Sequence, residues 1–168
     1  DENFRLYGVD MKTGTQRDYT PFDKVRVRML GGSRKRVDEV LVGINNRDPR
    51  WHDVYLLNLK TGELKLVMKG DGFAGFQTDD DLQVRLGARP NAAGGVDYFQ
   101  ITDGAAADKP LLSTSLEDSA TGPIGYTTDG KTLYWMDSRD RDTTAVFAED
   151  TATGQRGAAW RAHTRSSR

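Results

Sequence analysis

Asn58-Leu59-Lys60-Thr61-Gly62 decides how the chain is read, because it comes back. It recurs as Asp10-Met11-Lys12-Thr13-Gly14 and as Asp150-Thr151-Ala152-Thr153-Gly154, with a shorter Thr102-Asp103-Gly104 in between. The anchor positions 10, 58, 103 and 150 are 48, 45 and 47 residues apart. Each turn follows an apolar-aromatic run and precedes a second short run. Asp or Asn at the first position can cap the turn with its own side chain. Gly at the end supplies a positive φ that bulky residues resist. A period in the forties, built of strand–turn–strand units, predicts the blades of a β-propeller.

Working outward from the second copy, residues 54–59 and 63–68 read as the outer hairpin of a unit whose inner strands are 25–30 and 39–44. The stretch 39–44, Glu-Val-Leu-Val-Gly-Ile, is almost continuously apolar, as a strand covered on both faces should be. The next unit reads 73–77, 82–88, 95–102 and 110–112, and the last 124–127, 132–136, 144–149 and 155–160. Asp129-Gly130 is a hairpin signal between the first two strands of the last unit. Residues 4–10 and 16–19 form an outer hairpin without inner strands. No segment keeps a helical period; residues 111–116 come nearest to a helical turn.

The predicted fold class is therefore all-β: a partial β-propeller of about three four-stranded antiparallel blades plus one outer hairpin. As domains, a propeller fragment is expected over residues 1–155, with a hairpin at 1–20 and blades at about 25–68, 73–113 and 123–160. Residues 157–168 lack turns, alternation and acidic groups, and are read as an atypical tail, non-native, of the kind a reading-frame change would append. The chain opens inside a strand pattern at Asp1-Glu2-Asn3-Phe4, so it is expected to be a piece of a longer protein.

The composition narrows the function. Of 168 residues, 36% are hydrophobic and mean hydropathy is −0.67, lean for a large core but suited to sheets with many turns. Net charge is −1; the four arginines of residues 155–168 hide a net −5 in residues 1–154. No global attraction to nucleic acid or to an anionic surface follows. There is no cysteine, which excludes disulfide stapling and thiol chemistry. No apolar run approaches the roughly 18 residues of a membrane helix.

The stretch Asn45-Asn46-Arg47-Asp48-Pro49-Arg50-Trp51-His52-Asp53-Val54-Tyr55, joined to Asn58-Leu59-Lys60-Thr61-Gly62, resembles the prolyl oligopeptidase family of serine peptidases, above all its bacterial dipeptidyl aminopeptidase and acylaminoacyl peptidase-like members. Asn3-Phe4-Arg5-Leu6-Tyr7, Tyr19-Thr20-Pro21-Phe22, Gly72-Phe73-Ala74-Gly75 and residues 137–143 add to the likeness, which covers roughly residues 1–155. In that family an N-terminal propeller caps a C-terminal α/β-hydrolase domain and restricts access to it. The resemblance implies that this chain is part of such a cap, with the hydrolase domain and peptide substrates as its partners in the parent protein. It carries no catalytic triad over to any residue here.

The residues agree. A nucleophile elbow needs Gly-x-Ser-x-Gly, and no such string occurs; Gly32-Ser33-Arg34 is the nearest approach. His52 and His163 are the only histidines. His52 beside Asp53 suggests a base and its orienter, but neighbours on a strand point to opposite faces. His52 is therefore read as hydrogen-bonded across the loop entering the strand, and Asp53 as a tie to a neighbouring blade or a cap on the strand. Asp79-Asp80-Asp81 lacks the alternating spacing and central Gly of a calcium loop and reads as a solvated turn. Arg34-Lys35-Arg36 reads as a solvated loop. Arg47/Asp48 and Arg139/Asp140, with Arg141 and Asp142, read as rim ion pairs rather than as stitches between blades. Trp51, Tyr55, Phe76, Tyr98, Phe99, Tyr126, Tyr134 and Trp135 read as packing between blades.

No catalytic, cofactor-binding or metal-binding residue is assigned, and no cofactor is expected. The reading is a non-catalytic, substrate-gating cap segment of a serine peptidase acting on short peptides. The alternative is a non-enzymatic, Tol-type propeller that binds a partner. Neither nucleic acid nor membrane is expected as a partner, and a cytoplasmic place is favoured over a periplasmic one.

Overall fold

The computed structural model describes residues 4–160. Fifteen strands run in order: β1 Tyr7–Val9, β2 Gln16–Asp18, β3 Val27–Gly32, β4 Glu39–Asp48, β5 Trp51–Asn58, β6 Leu64–Met68, β7 Gly75–Thr78, β8 Val84–Pro90, β9 Val96–Thr102, β10 Ala105–Ala106, β11 Leu112–Ser113, β12 Gly122–Tyr126, β13 Thr132–Asp137, β14 Ala145–Asp150 and β15 Arg156–Trp160. One 3-10 turn, Leu116–Asp118, lies between β11 and β12, just beyond the 111–116 stretch that the sequence favoured. Among the described residues no helix is long and apolar enough to cross a membrane.

The chain is an all-β partial propeller. β3-β4-β5-β6 is blade I, β7-β8-β9 with β10 and β11 is blade II, and β12-β13-β14-β15 is blade III, each an antiparallel meander. β1-β2 is a separate outer hairpin. Among the first strands, β7 adjoins both β3 and β12, so the blades succeed one another with their first strands side by side.

Three of the four repeated turns share one geometry. Oδ1 of Asp10, Asn58 and Asp150 accepts the N–H groups two and three residues on, at 2.8–3.0 Å. Gly14, Gly62 and Gly154 close each turn at φ 72°, 80° and 70°. The fourth copy differs: Asp103 and Gly104 both have positive φ, which makes a two-residue primed hairpin between β9 and β10. That tighter turn leads into a broken outer strand. The single strand expected at 110–112 is two short pieces, β10 and β11, both paired to β9 and separated by residues 107–111.

Three apolar clusters hold the parts together. Val25, Val42, Ile44 and Leu57 meet Leu6 and Tyr19 between hairpin and blade I. Leu41, Val54, Phe73, Leu82 and Phe99 fill the seam between blades I and II. Leu86, Tyr98, Leu112, Leu133 and Trp135 fill that between blades II and III. Phe76, Phe99, Tyr98, Tyr126 and Trp135 thus pack between blades, and Tyr55 packs toward the hairpin. Tyr134 is different. It sits on the opposite face of β13 from Leu133 and Trp135 and is exposed with Met136.

Strand β15 reaches Trp160, so the first residues of the atypical 157–168 stretch take a place in blade III. Residues 161–168, including His163, lie outside the described residues.

Candidate functional site

In a meander, alternate loops emerge at opposite ends of the sheet. Here the loops between second and third strands of each blade, and the connectors between blades, share one rim. The repeated Thr-Gly turns and the loops between first and second strands share the other.

The first rim is built around Asp53, a carboxylate with 1% exposure. The β4–β5 hairpin slips register between Ile44 and Asp48, and the extra residues let Arg47 reach back over the strand end. Arg47 Nε and Nη2 donate to Asp53 at 2.7 and 2.8 Å, and the Gly70 N–H donates to the same carboxylate at 2.8 Å. Arg47 also closes tightly on Asp71. Gly70 is required here, since a Cβ at that position would lie 1.9 Å from the His52 carbonyl oxygen. Burial alone would raise the Asp53 pKa; the Arg47 fork, the Gly70 N–H and the charges of Arg47 and Lys69 outweigh it and hold it low. Asp53 therefore ties the hairpin to the connector that leads into blade II. This ion pair is no loose rim contact.

The rest of the 45–53 stretch is braced on itself. Asn45, buried, accepts from Arg26 N at 2.6 Å and donates to Pro49 O at 3.0 Å. Arg50 grips Asp48 with its side chain and main chain and draws the Asp48 pKa down to about 2. Arg50 is 74% exposed, so this pair does fit the bland reading. On blade III, Arg139 forks onto Asp137, its own strand neighbour, rather than onto another blade.

His52 turns away from Asp53 and packs by Gly43. Its Nε2 is buried without a partner. Burial, helped by Arg28, lowers its pKa against the pull of a main-chain hydrogen bond at Arg26 and of Asp53. His52 and Asp53 thus do not converge on one atom. Among the described residues no group of three or more His, Asp or Glu side chains is placed to hold a metal ion.

On the opposite rim the two charge runs that the sequence set aside separately are partners. Ser33 Oγ donates to Asp80 O at 2.5 Å, Arg34 N to Asp80 Oδ1 at 3.0 Å, and Lys35 Nζ to Asp81 Oδ1 at 2.9 Å. Asp79 is buried under them. Its carboxylate accepts Asp81 N, Gln83 N and Arg85 Nη1. Neither run is a free solvated loop; together they latch blade I to blade II. Spacing within each run gave no hint of this, because the partners are 46 residues apart.

No protein-family model matches the chain. It is 42% identical over 158 residues to dipeptidyl aminopeptidase BIII of Pseudoxanthomonas mexicana, a match that covers 93% of this chain and 23% of that relative. The chain is a relative of the dipeptidyl aminopeptidases of the prolyl oligopeptidase family. The likeness first read from the 45–62 stretch is borne out over nearly the whole chain. The chain spans under a quarter of this peptidase relative's length. Among solved structures, TolB of Acinetobacter baumannii superposes with a TM-score of 0.64 at 15% identity, over 92% of this chain and 37% of TolB. Dipeptidyl peptidase 4 of Porphyromonas gingivalis gives 0.56 at 15% identity, over 92% of this chain and 22% of that one. At that identity both likenesses speak for the propeller fold alone.

Proposed function

We propose that this chain is the non-catalytic propeller portion of a serine peptidase, standing before a C-terminal α/β-hydrolase domain and narrowing the way to it. The observation that carries this reading is the 42% identity to a dipeptidyl aminopeptidase, sustained over 158 residues. The parent reaction is hydrolysis of short peptides through an acyl-enzyme on a serine of the other domain. In this assignment residues 1–155 contribute propeller wall: the hairpin and blades I to III, with blade I fastened to blade II by the Asp53 tie on one rim and the Ser33–Asp81 latch on the other.

Two measurements test it. The purified chain should resist labelling by a fluorophosphonate and leave dipeptidyl reporter substrates intact; a labelled serine and turnover overturn the assignment of catalysis elsewhere. In the parent peptidase, a short peptide should be cleaved while a folded protein with the same N-terminal residues is spared. Equal rates for the two would remove the gating role while leaving the kinship untouched.

A further inference from the structure

Arg89, near the end of β8, differs from three arginines of its rim. Arg47, Arg50 and Arg139 each close on a carboxylate. Arg89 has no ion pair and no hydrogen bond among the described residues. Its guanidinium carbon instead lies 4.5 Å from the Phe73 ring centroid and 5.0 Å from that of Phe99. The two rings stand nearly edge to face at 81°, so the cation sits in a fixed aromatic clamp. Gly72 leaves room for it: a Cβ there would come within 3.2 Å of Arg89 Nε. Asp97 is the cross-strand neighbour of Arg89, yet its carboxylate accepts from Asn91 Nδ2 at 2.9 Å instead.

The Nε edge is buried and unpartnered. The Nη nitrogens are not buried, and nothing described bonds to them, so they form the open edge of the clamp. Withdrawing part of a guanidinium from water without a counter-charge is unfavourable, and two aromatic faces compensate only in part. A planar fork already held in place loses little freedom on meeting a carboxylate. The next residue along from Gly72 is Asp71, itself taken by Arg47, so the clamp adjoins the tie at the rim's centre.

We propose that Arg89 is an anion-docking residue whose open Nη edge takes a carboxylate presented at this rim. The carboxylate comes from the C-terminus of a bound peptide or from a side chain of a protein domain seated there. The inference does not require the peptidase reading and stands or falls separately from it.

Side-chain nitrogen NMR of the full 168-residue chain tests it. The Arg89 Nε–H resonance is identified by its disappearance in Arg89→Gln. Three probes are added in turn: N-acetyl-dialanine, its C-terminal amide, and N-acetyl-glutamic acid α-amide. The resonance is expected to shift and saturate with a carboxylate probe and to stay still with the C-terminal amide. A response to N-acetyl-dialanine alone assigns the peptide terminus; a response to both carboxylates assigns any presented carboxylate. Followed through the backbone signals of Gly72 and Asn91, Arg89→Gln should bind about tenfold more weakly or not at all, and Arg89→Lys, which keeps the charge but not the fork, should fall between. An unmoved Arg89 resonance, an equal shift with the amide, or undiminished binding by Arg89→Gln would each overturn the proposal. If Arg89→Gln fails to fold, Arg89→Lys identifies the resonance, and the contrast between carboxylate and amide on the unaltered chain decides.

Discussion

Tyr126 shows how much a single side chain depends on its neighbours. It lies at the end of β12, with the Arg85 guanidinium 4.9 Å from its ring centroid. It lines a cavity of about 120 Å³ with Leu86, Gln100 and Leu133. Burial pushes its phenol up to about 12; Arg85 opposes the shift while Glu149 and Asp79 add to it. The folded state thus favours the neutral phenol relative to an unfolded tyrosine near ~10. The stabilisation is complete below ~pH 10 and drains away as pH rises through the folded value. Phenolate absorbance of the folded chain should therefore include a late step near 12, missing in Tyr126→Phe; its persistence in that variant would assign the step elsewhere. At this scale the sequence told part of the story. Alternation along a strand separated His52 from Asp53, and aromatic residues marked seams. The partner of Asp80 and the clamp around Arg89 depend on which strands become neighbours in space, and a linear reading holds no local signal for that.

Turns and strands were the most legible level, because each obeys a local rule. The repeated Asx-capped turn needs a side-chain oxygen, two N–H groups and a residue at positive φ, all within five positions. The structure also grades the copies. Nothing lies within 4 Å of a Cβ placed on Gly14 or Gly154, whereas one on Gly62 would meet Arg17 Nη2 at 2.4 Å. That arginine donates to Lys60 O and Thr61 O and so holds the hairpin to blade I. Gly14→Ala and Gly154→Ala should each cost about 1–2 kcal/mol, the penalty of a left-handed residue. Gly62→Ala should cost clearly more, as the Arg17 bridge is displaced as well. Urea unfolding of the three variants checks the order, and equal losses would show that the bridge carries no stability. Where the sequence misjudged an element, a shorter turn was the cause. Asp103-Gly104 resembles the other copies in letters, but both of its central residues take positive φ, and the strand after it splits.

As a whole, the molecule is a row of sheets that owe their order to the seams between them. Trp135 carries the seam of blades II and III. It is fully buried, edge-on to Tyr98 at 5.4 Å, with Arg156 stacked over it at 4.7 Å. Trp135→Ala should cost about 3–5 kcal/mol. Trp135→Phe should cost much less, because it keeps most of the ring and removes an indole N–H that has no partner. Thermal unfolding of both variants distinguishes the two; a Phe variant as weak as the Ala variant would mean that ring size alone sets the seam. The blade count was legible from the turn period, and a tie at Asp53 was one of the two roles its place in the strand suggested, while the latch between blades I and II was not legible, since its partners lie 46 residues apart. The divided outer strand of blade II also makes that edge a poor template for strand pairing. Two residues, an irregular stretch and two more offer no run of free N–H and C=O groups long enough to seed a sheet between molecules. Lys109 and Pro110 within that stretch add a charge and remove a donor. Molecules that collide along this edge should find little to zip together, so an interruption in the strand pattern works as a guard against pairing there.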